Sequence, residues 1–292
     1  MNLRFTVGQS IIVFLVAIFL CTLVGSLINS AVMLMGMSTQ TLRVMTVIQD
    51  CFVFILPAVI TAYMICGLPA RFLGIDRPFS IIQLLLAVAV MIASMPAMNF
   101  LVKLNADITL PESMGALEEW MRSSEDRAQE MVDMMLGACT VGSLIVSILL
   151  VGVMAGLSEE LFFRGALQNI IGSSRLSHHV AIWLTAFIFS AFHLQFYGFF
   201  PRLVMGAYFG YLLYWSKSLW LPILIHTFNN SIVISVNWHE KLTGFPSGSS
   251  ESFNGWGANS PTLILASLIL TAFLILRLQK TSTKPTDTAM TE

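Results

Sequence analysis

"MLGACTVGSLIVSILLVGVMAGLSEELFFRGALQNI" fills residues 135–170. A helix crosses the hydrocarbon layer with about 20 predominantly apolar residues, and this stretch is long enough to do so. No period-two alternation of apolar and polar residues runs through it, so a strand of an outer-membrane barrel is excluded. The stretch predicts a membrane-crossing helix, and Glu159, Glu160 and Arg164 are the charges that the helix must accommodate.

The same apolar character recurs on both sides. Of the 292 residues, 56% are hydrophobic and 11% charged, with a mean hydropathy of +0.80; an ordinary soluble domain is about 25% charged. Apolar runs cover 9–36, 44–66, 80–101, 135–170, 179–194, 200–215, 219–236 and 261–276. The expected fold is therefore all-α, a polytopic transmembrane bundle of about eight spans. Three parts are expected: residues 1–134 with the first three spans and a polar insertion, 135–236 as a helical core, and 237–292 with an outer loop, the last span and a disordered polar tail. The insertion, 105–133, holds eight acids against Arg122 and Arg127. Its apolar residues Leu117, Trp120, Met121 and Ala128 recur at helical spacing, which predicts an amphipathic surface helix.

A net charge of −1 and the absence of a basic stripe leave no footprint for nucleic acid. Cys21, Cys51, Cys66 and Cys139 lack CxxC spacing and read as small apolar residues. The first run exceeds the 7–15 residues of a signal-peptide core and lacks a small-residue cleavage site, so it is expected to remain. Lys and Arg bias the short segments eight to six toward cytoplasmic termini. Short loops point to a prokaryotic cytoplasmic membrane, with lipid as the surrounding partner.

A charge at bilayer depth costs about 2.5–3.5 kcal/mol on insertion scales, so such groups face cavities and pair with each other. Away from the span ends they are Asp50, Glu159, Glu160 and Arg164, joined by His193, His226 and Asn230. Glu160 and Arg164 stand at i and i+4 in the favourable acid-first order. Glu159 lies about 100° further round the helix and points elsewhere. Phe189 with His193, and His226 with Asn230, repeat the i,i+4 spacing on two later segments. Three helices can thus present a carboxylate, two imidazoles and a carboxamide to one cavity. Interhelical hydrogen bonding alone is the competing explanation for each residue. Asp50 stands apart in the second run and reads as a local hydrogen-bonding group.

Glu159-Glu160-x-x-x-Arg164, Phe189-x-x-x-His193 and His226-x-x-x-Asn230, in that order, resemble the CPBP intramembrane proteases, also called Abi or CAAX-protease-like. The resemblance implies a membrane endopeptidase cutting membrane-associated peptides or proteins, lipidated ones included. It implies Glu159 as general base, His193 as its partner in holding water, His226 and Asn230 as oxyanion donors, and Glu160 with Arg164 as a supporting ion pair. The family is described both as zinc-dependent and as metal-free. Glu159, His193 and His226 would form a His₂Glu zinc set, but Glu159 used as a ligand is lost as a base, and HExxH is absent. Neither GxSxG nor GxGD is present, which leaves serine and presenilin-type aspartyl chemistry without a motif. A proton-coupled transporter and a non-catalytic scaffold or bacteriocin-immunity protein are the alternative readings of the same residues.

Overall fold

The protein is described by a computed structural model covering residues 4–244 and 256–282. Most of the loop expected over 244–260, and nearly all of the expected disordered tail, lie outside the described residues. The helices are α1 (Val7–Met33), α2 (Thr39–Cys66), α3 (Pro69–Leu73), α4 (Ile81–Ala106), α5 (Gly115–Leu136), α6 (Val141–Gly172), α7 (His178–Phe192), α8 (Phe199–Ser216), α9 (Trp220–Thr243) and α10 (Pro261–Lys280). No strand occurs among the described residues. The fold is a polytopic helical bundle.

Local sequence sets the helix ends. Thr6 with Gln9, and Ser80 with Gln83, form reciprocal capping boxes that open α1 and α4. Gly67 ends α2 at a φ of 72°, a left-handed position that glycine takes without steric cost. The run read as one span from 135 to 170 is two elements. Residues 135 and 136 close α5, Gly137 and Cys139 turn the chain at φ values of 60° and 53°, and Thr140 caps α6 by accepting the Ser143 amide. Hydropathy does not see this break, because the turn residues are themselves small or apolar.

Of the eight expected spans, five are long and apolar enough to cross a membrane: α1, α2, α4, α6 and α10. α7 has only 15 residues, while α8 and α9 carry Arg202, His226, Asn229 and Asn230 and bury many of their side chains inside the bundle. α1 and α10, by contrast, bury only 17% and 11% of their most apolar stretch and leave the rest facing outward.

Among the described residues, apolar clusters on two sides hold the bundle. Phe54 of α2 meets Phe162 of α6 edge-on at 5.4 Å, and Phe163 meets Phe189 of α7 at 5.1 Å. Aromatic pairs prefer such edge-to-face contacts. On the other side Met91 of α4, Phe209 and Leu212 of α8, Ile225 of α9 and Leu278 of α10 pack together.

α6 and α9 cross closely because Gly152 and Gly156, four residues apart, face α9. A Cβ at Gly156 would lie 2.8 Å from Thr227 Oγ1 and 3.1 Å from the Thr227 backbone nitrogen; one at Gly152 would lie 2.7 Å from Ser231 Oγ. Small residues at this spacing let membrane helices approach. α6 also widens into π-helical turns over Ile148–Met154 and Leu161–Gln168. Such turns free backbone carbonyls and re-aim side chains, and they are frequent at functional sites. Ala155–Glu160, ending in the two acids, lies between them.

Candidate active site

The i,i+4 spacing on α6 produces the expected ion pair. Arg164 Nη1 donates to Glu160 Oε1 at 2.7 Å, and both side chains are fully buried. Two further contacts hold the guanidinium in place. Its Nη2 donates to the Gly206 carbonyl of α8 at 2.9 Å, and its plane lies 4.3 Å from the Phe189 ring. A charge this deep is tolerable only with such pairing.

His226 of α9 joins the same carboxylate. Its Nδ1 donates to Glu160 Oε1 at 2.8 Å, which fixes the ring orientation and leaves Nε2 facing Glu159 Oε2 at 3.8 Å. The ring is stacked on Phe209 at 4.8 Å and edge-on to Phe189 at 6.0 Å. Glu159 therefore sits differently from its neighbour. Neither acid has a hydrogen-bond partner for Oε2 among the described residues, but the Glu159 side chain keeps 16% exposure where that of Glu160 has none.

His193, at the C-terminal end of α7, donates from Nδ1 to the Phe189 carbonyl at 2.9 Å. That leaves Nε2 for another partner. The residue is in electrostatic range of Glu159, His226 and Arg202. Asn230 lies one turn beyond His226 and gives one amide N–H to the Val151 carbonyl at 3.1 Å, inside the first π-helical turn of α6. Its Oδ1 accepts from Asn229 at 3.3 Å, so one N–H remains available. The structure thus gathers Glu159, Glu160, Arg164, His193 and His226 around the junction of α6, α7, α8 and α9, with Asn230 tied to α6 alongside.

Two neighbours were not linked to the acid pair by the sequence reading. Asp50, on a π-helical turn of α2 and only 4% exposed, lies against Ser158 and Glu159 instead of standing alone. Arg202 of α8, counted among the loop charges, senses both Glu125 and Glu159. No spacing rule links either to the acid pair, since each comes from a different helix. Their signal was depth in an apolar run.

The amphipathic insertion forms α5 and covers this end of the bundle. Trp120 packs on Phe196 at 5.2 Å and Arg122 lies over Tyr197 at 4.8 Å. Burial holds the Glu125 carboxyl above its ordinary range, with the Arg202 charge pulling against it. Glu118 is held low by the hydrogen bond from Arg122 and, after it, by that from the Leu110 amide.

The three candidate zinc ligands do not fit a metal as arranged. No group of three His, Cys, Asp or Glu side chains comes together as a donor set among the described residues. No curated protein and no solved structure matches the chain. A family model does match, over residues 141–232, and its description is Rce1-like, type II CAAX prenyl endopeptidase. That range runs from the start of α6 to just past Asn230, so it holds all three motifs, and over this core the chain is similar to the Rce1-like family.

Proposed function

We propose that the chain is an intramembrane endopeptidase that hydrolyses a peptide bond in a membrane-associated peptide or protein by means of water activated at Glu159. The observation that carries this reading is the division of labour between adjacent carboxylates. Both keep an Oε2 without a hydrogen-bond partner among the described residues, but Glu160 is fully buried and holds Arg164 and His226 through Oε1, whereas Glu159 keeps some exposure and has its Oε2 3.8 Å from His226 Nε2. That separation is too long for a direct hydrogen bond, and a water at about 2.8 Å from both atoms fits beside it. Amide hydrolysis needs a base for the water and donors for the developing oxyanion. In this proposal Glu159 takes the proton of the water and returns it to the leaving amine, His193 helps hold the water, and the remaining N–H of Asn230 faces the oxyanion, joined by His226 Nε2 when the ring carries both protons. Glu160 and Arg164 keep His226 in place. No step is routed through a metal.

The family's name points to prenylated peptides as one substrate class. The charge bias of the short segments supports cytoplasmic termini, and the short loops a prokaryotic membrane. The test uses purified protein in proteoliposomes, with fluorogenic peptides offered with and without a prenyl group, and Glu159→Gln and His226→Gln variants. Cleavage by the wild type and not by Glu159→Gln is expected. Solute flux that depends on Glu159, without any cleavage, would replace this reading with a carrier.

A further inference from the structure

A second polar cavity lies at the end of the bundle where α6 finishes and α7 begins. Its volume is about 340 Å³, and it is lined by Arg71, Arg77, Ser173, His178, Tyr214 and Lys217, with apolar residues between them. These residues come from three separate parts of the chain, which are strapped together. The Ser218 hydroxyl donates to the Arg77 carbonyl at 2.6 Å, the Leu219 amide to the Gly74 carbonyl at 2.9 Å, and the Trp220 indole to the Ile75 carbonyl at 2.9 Å. Gly74 makes this approach possible at a φ of 79°. The cavity rim is therefore a fixed piece of backbone.

Its charges are unbalanced. Arg71 has neither hydrogen bond nor ion pair among the described residues. Lys217 lies over the Tyr214 ring at 4.2 Å and has no carboxylate partner there. Arg77 has only Asp76, at 3.9 Å and half exposed. Burial, and then the charge of Arg77, holds the Lys217 ammonium below its ordinary range, so the two cations crowd each other. The flanking surface is apolar and aromatic, with Leu176 49%, Trp183 45% and Trp220 41% exposed. Aromatic residues of this kind belong at the headgroup level of a bilayer.

We propose that this cavity is a phosphate site, occupied by the headgroup of an anionic phospholipid or by a free phosphate. Basic pockets between membrane helices hold such headgroups, each Lys or Arg adding to the attraction, and an arginine pair offers the forked donors that phosphate oxygens accept. The site lies about three turns of α6 beyond the acid pair, at Asn169–Ser173, and stands whether or not the chain is a peptidase.

The test titrates the purified full-length protein, in neutral detergent, with phosphatidylglycerol, phosphatidylcholine and inorganic phosphate, following binding by calorimetry and by native mass spectrometry. Phosphatidylglycerol is expected to bind and phosphatidylcholine to bind far more weakly. Arg77→Gln combined with Lys217→Gln is expected to weaken the anionic ligand about thirtyfold, and either change alone about fivefold. Inorganic phosphate that competes with the lipid, or binds in its place, assigns the soluble source. Should the double variant fail to fold, Arg71→Gln, which breaks no hydrogen bond or ion pair among the described residues, carries the same expectation of about fivefold. Equal binding of the two lipids with no binding of phosphate, or equal binding by wild type and folded variants, overturns the proposal.

Discussion

Glu159 and Glu160 differ by one peptide bond and by almost everything around them. Each keeps an unpartnered Oε2 among the described residues, but the second is fully buried and accepts from a guanidinium and an imidazole on Oε1, while the first keeps 16% exposure. Their neutral isosteres should therefore fail in opposite ways. Glu159→Gln is expected to lower the peptidase rate by about 10²–10⁴, the usual contribution of a positioned base, with thermal melting unchanged. Glu160→Gln leaves Arg164 buried without a counter-charge, which is expected to cost about 3–5 kcal/mol, seen as a lower melting temperature in detergent before any rate is measured. Melting shifts of the same size in both would end the distinction. The Glu160–Arg164 pair was legible from spacing, because four residues along a helix return to the same face. The bond from His226 to Glu160 was not, since nothing local fixes how α9 is rotated against α6.

Helices were largely legible as segments, while their packing and some of their ends were not. Apolar runs marked the membrane helices, yet the turn at Gly137–Thr140 was hidden in one of them, and the Gly152–Gly156 spacing passed unnoticed although it brings α6 against α9. Gly156→Ala puts a methyl group 3.1 Å from a backbone nitrogen that cannot swing away. Overpacking of this kind costs about 1–3 kcal/mol, and the displaced α9 should move His226 from Glu160 and reduce activity more than stability. Melting and cleavage measured on the same preparation check this. α5 offers a pH test. Glu125 is raised by burial, so its contribution to stability is complete below the unfolded value and is lost as pH rises through the raised one. Glu118 is lowered, so its contribution is present above the unfolded value and lost as pH falls through the lowered one. Hydrogen exchange of α5 is expected to quicken from mildly acidic to neutral pH in the wild type and to do so less in Glu125→Gln. A steeper rise in the variant would mean that Arg202, not burial, dominates at Glu125.

Across the whole molecule, the family match covers only residues 141–232, yet the site draws on helices outside that range. α2 delivers Phe54 to the aromatic cluster behind the acid pair and Asp50 to the flank of Glu159. The sequence could not show this second approach, because Asp50 and Glu159 are joined by no motif and meet only once the bundle closes. Asp50 is buried, and its Oδ2 has no hydrogen-bond partner. Inside a membrane bundle such a group is expensive unless it serves a function. If Asp50 only fills space between α2 and α6, the neutral isostere Asp50→Asn removes an acid beside Glu159 and with it the cost of a buried carboxylate. The expected outcome is a higher melting temperature with cleavage retained, which would make Asp50 a structural residue and leave Glu159 as the base. Loss of cleavage in a variant that melts at or above the wild-type temperature would instead move Asp50 into the catalytic group and extend the working site beyond the Rce1-like core.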